Sequence, residues 1–222
     1  MLIGATSDLH GYLPDIEPCD ILCICGDISP LKIQFKEKDM QVWIDSEFIP
    51  WCKTCGAKDV VFIAGNHDSW FYNNRKKDLR SYFKDKGITY LQDTTALING
   101  ISIHGTPWCK EYGYWPFMRS REELIENYSK IPHNVDILLS HDAPMINKYG
   151  VILNNPRTDE LIDAGNIQLA AAIEEKVPKY ALCGHIHSGY HVLQEINGTK
   201  LANVSYVGET YQPTYPILYF EI

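Results

Sequence analysis

Five short stretches hold the residues of this chain that could do metal chemistry. They are Asp8-Leu9-His10, Gly26-Asp27, Gly65-Asn66-His67-Asp68, Ser140-His141 and Gly184-His185-Ile186-His187. A neutral imidazole binds divalent transition ions through a ring nitrogen, and carboxylate or amide oxygens add harder donors. Taken singly, each stretch reads more simply as a turn, because Asp, Asn and Gly are ordinary turn residues and His-x-His pairs arise by chance. Taken together they do not, since five of the eight histidines fall in this set. Donors made of oxygen and nitrogen, imidazoles among them, favour Mn, Fe, Zn, Co or Ni over Ca, with Mg admissible.

The elements that must position these residues are legible too. Each stretch follows a short apolar run rich in Ile, Leu and Val: 2–7, 21–25, 60–64, 135–140 and 180–183. Such runs predict strands buried on both faces, as in sheets covered by helices. In α/β sheets, ligands bind outside the carboxyl ends of the strands, which is where all five stretches lie. Apolar spacing predicts a crossover helix over 38–55, kinked or ended at Pro50, and helices over 79–86 and 167–176. Asn99-Gly100 and Asn197-Gly198, each between strand-like segments, predict two hairpins. Residues 217–222 read as a final strand, and 145–165 as a long loop. The aromatic insert 106–118, with Trp108, Tyr112, Tyr114, Trp115 and Phe117, suits either a stacking platform for a flat substrate or a lid over the core.

Composition bounds the function. The 222 residues carry 45% hydrophobic and 22% charged residues, which fits one globular domain over 1–222. The net charge of −8 and the scattered Lys and Arg argue against long nucleic acid as a partner. Runs of 18 apolar residues and a secretory start are both lacking, so no membrane partner is expected. Seven cysteines, an odd number without framework spacing, read as reduced thiols of a cytoplasmic protein. Cys52-Lys53-Thr54-Cys55 has no second pair to complete a zinc site, and Cys183 reads as a buried structural thiol.

In their order along the chain, the five stretches resemble the signature blocks of the calcineurin-like metallophosphoesterases. Gly105-Thr106-Pro107-Trp108 and Leu201-Ala202-Asn203-Val204-Ser205 are similar to the MPPED-like small-phosphodiesterase branch. The fourth block departs slightly, with Ser140-His141-Asp142 where many relatives have Gly beside the His. The resemblance implies an α/β, four-layer fold, in which two packed mixed sheets are flanked by helices as a metallophosphoesterase-like β-sandwich. It implies two divalent ions, Mn foremost. Asp8, His10 and His187 would hold one ion, Asn66, His141 and His185 the other, and Asp27 would bridge them. His67 would stand beside the leaving group, with Asp68 as a candidate to orient it.

The implied activity is hydrolysis of a small phosphodiester or phosphomonoester, nucleotides among them, by a metal-bridging hydroxide. Two divalent ions against two carboxylates and one hydroxide leave the centre locally positive, which lets an acidic protein accept an anionic substrate. The competing readings are a nuclease acting on short oligonucleotides and a non-catalytic scaffold with the same fold; the intact ligand set weighs against the scaffold.

Overall fold

The structure is a computed structural model that describes residues 1–152 and 162–222, the side chains of 151 and 152 excepted. Two sheets face one another. In the first, β1 (Leu2–Thr6), β2 (Cys19–Ile24), β3 (Ala57–Phe62) and β4 (Thr89–Tyr90) run parallel, and β15 (Leu218–Glu221) pairs antiparallel with β1. In the second, β6 (Ile101–Thr106), β9 (Ile137–Ser140), β12 (Tyr180–Cys183) and β14 (Thr199–Asn203) run parallel. Its edges, β5 (Thr94–Ile98) and β13 (Gln194–Ile196), are antiparallel.

Strand periodicity explains why the apolar runs do not alternate. Ile21, Cys23, Val61 and Ile63 face Ile103, Ile137, Leu139 and Leu182 between the sheets. The intervening Leu22, Ile24 and Phe62, and Leu138, Ala181 and Leu201, join a cluster with Met40, Trp43, Leu124, Tyr128 and Leu169 from the helices. Both faces of each sheet are thus covered, one by the other sheet and one by helices. At Gly105 the sheets are so close that a Cβ would fall 2.5 Å from Ile63 and Leu91.

Several expectations meet particular structures. The crossover helix is continuous through Pro50: α1 (Glu37–Trp43) passes through a π-helical turn (Ile44–Phe48) into α2 (Ile49–Thr54). The wide turn lies just before Pro50, whose ring would crowd the carbonyl four residues back in a regular helix. α4 (Leu79–Lys84) and α6 (Ile167–Lys176) form where expected. Both Asn-Gly pairs turn with positive φ at both residues, 52° and 87° in the first and 50° and 85° in the second, as a type I′ hairpin requires. Within the expected loop 145–165, β10 (Val151–Ile152) pairs with β11 (Ile162–Asp163), and 153–161 lie outside the described residues.

Two helices arise without an expectation: α3 (Ser69–Asn74) and α5 (Arg121–Ser129). The start of α5 was readable, because Ser120 and Glu123 form a reciprocal capping box. The insert adds a short parallel pair, β7 (Cys109–Lys110) with β8 (Met118–Arg119). No helix among the described residues is long and apolar enough to cross a membrane.

Candidate metal centre

The parallel strands of both sheets end at one rim. A bridge from Ser7 to Ser205 and a hydrogen bond from Tyr206 N to Ser7 O (2.8 Å) tie the two sheets together there. Loops beyond the strands are braced by backbone bonds, Asp8 N to Gly26 O and His10 N to Asp27 O at 2.9 Å each, and Gly184 N to His141 O at 3.1 Å. Asp8, His10, Asp27 and His185 all have positive φ, between 44° and 67°. For residues with a Cβ this costs about 1–3 kcal/mol each, so the loops are held in a shape chosen for their side chains.

The structure brings the expected donors together. His141 Nε2 lies 3.0 Å from Asn66 Oδ1 and 3.3 Å from Asp27 Oδ2. Asp27 Oδ2 is also 3.9 Å from His10 Nε2, while its Oδ1 accepts the His67 N–H at 2.7 Å. Asp27 therefore faces donors on both sides. Asp8 Oδ1 is 3.4 Å from His187 Nε2, and Asp8 Oδ2 accepts from Ser205 Oγ and His185 N. Ligand atoms of Asp8, His10 and His187 lie within 4.8 Å of one another, as do those of Asp8, Asp27 and His141. His185 is ring-to-ring with His141 at 5.2 Å.

Other contacts fix the orientation of these rings. His141 Nδ1 is 2.8 Å from Cys25 O and His187 Nδ1 is 3.1 Å from Gly208 O, so in the neutral rings Nδ1 carries the proton and Nε2 is left to accept a cation. Asn66 Nδ2 donates to Tyr112 Oη (3.3 Å), which turns the amide oxygen toward His141.

The electrostatics are those of a site built around positive charge. Asp8 and Asp27 are buried, and burial opposes their ionisation. The His187 hydrogen bond and charge reverse this for Asp8, and the His141 and His67 charges do so for Asp27, holding both carboxyls below their usual range. Burial likewise opposes a charged His141, yet Asp27 and Asp8 push it up to about 10. His10 goes the other way, pushed down by burial to about 4 despite both carboxylates. Among the described residues, neither of its buried ring nitrogens has a hydrogen-bond partner. An orphaned imidazole beside two buried carboxylates, whose ion-pair partners among the described residues are all histidines, fits a divalent cation.

A family comparison agrees with this geometry: the model of the calcineurin-like phosphoesterases matches residues 1–189. The chain belongs to that family. As a member it is a metal-dependent phosphoric ester hydrolase. Human metallophosphoesterase domain-containing protein 1 is 27% identical over 240 residues, spanning 97% of this chain and 69% of the relative. A UPF0046 protein of Caenorhabditis elegans is 37% identical over 213 residues, 85% of this chain and 51% of its own. Among solved structures, phosphopantetheinyl hydrolase of Mycobacterium tuberculosis has a TM-score of 0.58 at 14% identity, covering 93% of this chain and 89% of that one. TT1561 of Thermus thermophilus has a TM-score of 0.56 at 14% identity, covering 91% and 88%. These two likenesses concern the fold, the expected pair of mixed sheets flanked by helices.

One expectation for this phosphoesterase is corrected. Asp68 does not orient His67. Its carboxylate accepts from Gly65 N, Ile28 N, Ser29 N and Ser29 Oγ at 2.6–3.4 Å, tying the post-β3 loop to the post-β2 loop. Burial and the Asp27 charge push this carboxyl up to about 7 in spite of those donors. The group at His67 is Gln34, whose Oε1 is 2.6 Å from His67 Nδ1 while its Nε2 donates to Leu31 O. Asp142 similarly braces its loop, accepting from Lys110 N and Asn166 Nδ2 at 2.8 Å each.

The insert divides its aromatics. Trp108 and Phe117 are buried, whereas Trp115 lies 4.6 Å from the His67 ring and Tyr112 lies 5.6 Å from His185. Tyr211, from the segment before β15, stands 4.9 Å from His10 and 5.0 Å from His187. Gln34 and Tyr211 carried no signal in the sequence, because each reaches the site from an irregular loop. Asn203 and Ser205 did carry one, in the branch-like stretch; Asn203 Nδ2 donates to Ile186 O, bracing the His185–His187 loop.

Proposed function

We propose that this phosphoesterase hydrolyses small phosphodiesters or phosphomonoesters at a two-cation centre. In this reading Asp8, His10 and His187 hold one ion, Asn66, His141 and His185 hold the other, and Asp27 lies between them. The observation that carries the reading is Asp27 itself, a buried carboxylate whose Oδ2 is 3.9 Å from His10 and 3.3 Å from His141. Bound divalent ions would lower the pKa of attacking water and polarise the phosphoryl oxygens.

The protein's own groups do the rest. Gln34 holds His67 Nδ1 as a donor, which leaves Nε2 to meet a phosphoryl or leaving-group oxygen once the ring is protonated. Tyr112, Trp115 and Tyr211 offer ring faces and edges around that point, and a nucleobase or other flat leaving group would pack against them. Expected metals are Mn, Fe, Zn, Co, Ni or Mg, and the location is cytoplasmic, in keeping with seven free and buried thiols. The chain from 1 to 222 acts as one domain.

Purified protein loaded with manganese should hydrolyse bis-p-nitrophenyl phosphate or p-nitrophenyl phosphate. Asn66→Ala and His67→Ala should each lower turnover by about 10²-fold or more. Loaded protein that hydrolyses neither ester, nor any member of a panel of cyclic nucleotides, mononucleotides, dinucleoside polyphosphates and sugar phosphates, would overturn the reading.

A further inference from the structure

Cys109 opens β7, which lies between the loops of Asn66 and His141 in sequence and brings the thiol beside His141 in space. Its sulfur and one ring nitrogen each of His141 and His185 form a group whose three atoms all lie within 4.8 Å of one another. The position is fixed. Cys109 N donates to Phe117 O at 2.9 Å, Lys110 N donates to Asp142 Oδ2 at 2.8 Å, and Tyr128 Oη donates to Trp108 O at 2.8 Å. The thiol is fully buried, and its own hydrogen bond is a weak one to Pro107 O at 3.8 Å. Among the described residues, the hydrogen bonds to His185 reach its backbone N–H and leave its ring nitrogens unengaged. Cys183, the thiol nearer in sequence to the histidine pair, instead donates to Ala202 O and, among the described residues, belongs to no such group.

We propose that Cys109 is a further protein donor to the cation held by His141 and His185, an inference that rests on the two-cation reading above. On binding, the S–H bond breaks, the proton passes to solvent, and a sulfur lone pair bonds the cation; no electrons are transferred. Coordination to a divalent ion deprotonates a thiol outright. A thiolate makes this half of the centre softer than its oxygen and nitrogen donors alone, so it selects zinc or cobalt over manganese or magnesium.

The test is cobalt(II) titration of the whole protein under anaerobic conditions. Wild type and Cys183→Ser should each develop a near-ultraviolet thiolate-to-cobalt charge-transfer band. Cys109→Ser should bind the same cobalt equivalents without it, and lose about tenfold or more in zinc affinity with little change for manganese. Zinc X-ray absorption on wild type needs no variant and should show one sulfur at about 2.3 Å. Cobalt uptake by wild type without the band, a band that survives in Cys109→Ser, or a zinc shell of nitrogen and oxygen alone would overturn the assignment while leaving the two-cation centre standing. Failure of wild type to take up cobalt or zinc would overturn both.

Discussion

The protonation of His141 sets the terms on which a cation enters. With no cation bound, Asp27 and Asp8 hold that ring's pKa up at about 10, and Asp8 raises His187 as well. The His141 ring therefore carries a proton at neutral pH, and a cation must displace it. Raising the pH removes the competitor, so apparent metal affinity should increase from pH 6 to pH 9, by up to about tenfold per unit for each proton displaced. Calorimetry in buffers of different ionisation enthalpy would count the protons released; affinity flat across that range would contradict the assignment. Gln34 makes a separate prediction. Gln34→Ala should lower kcat about tenfold, short of the ~10² expected for His67→Ala, and leave metal stoichiometry unchanged. A loss of bound metal would show that Gln34 supports the ligands rather than His67.

At the scale of the element, the glycines at the strand ends set how closely loops can approach. A Cβ at Gly184 would sit 2.0 Å from Ser7 Oγ and 2.4 Å from Asp8 Oδ2. Gly184→Ala should displace Asp8, cost about 1–3 kcal/mol, and reduce the metal bound. Gly100, in the β5–β6 hairpin, has φ +87° and nothing within 4 Å of a Cβ. Gly100→Ala should cost about 1–2 kcal/mol from backbone strain alone and leave the metal content intact. Thermal melts with metal analysis separate the two, and equal metal loss in both variants would refute the packing argument. The same elements show what was readable. Strand ends and Asn-Gly turns announce themselves because each needs particular residue types. The π-helical turn before Pro50 and the helix Ser69–Asn74 did not, since tertiary packing decides them.

For the whole molecule, the candidate ligands were legible because metal donors are few in kind and each follows a strand of a parallel sheet. What positions them was less so. Asp68 sits next to His67 in sequence yet reaches Ser29 and Gly65, and Gln34 arrives from 33 residues away to take the place expected of it. Sequence neighbours at a turn point in different directions, and only the fold decides which distant side chain fills the gap. The two-sheet architecture itself came from family resemblance, because apolar runs buried on both faces do not reveal whether a helix or a second sheet covers them.

Anomalous diffraction from manganese-loaded crystals tests the central claim most directly. Two peaks roughly 3.5–4 Å apart should flank Asp27, one among Asp8, His10 and His187 and the other among Asn66, His141 and His185. A single peak, or peaks that leave Asp27 without a cation on either side, would contradict the account.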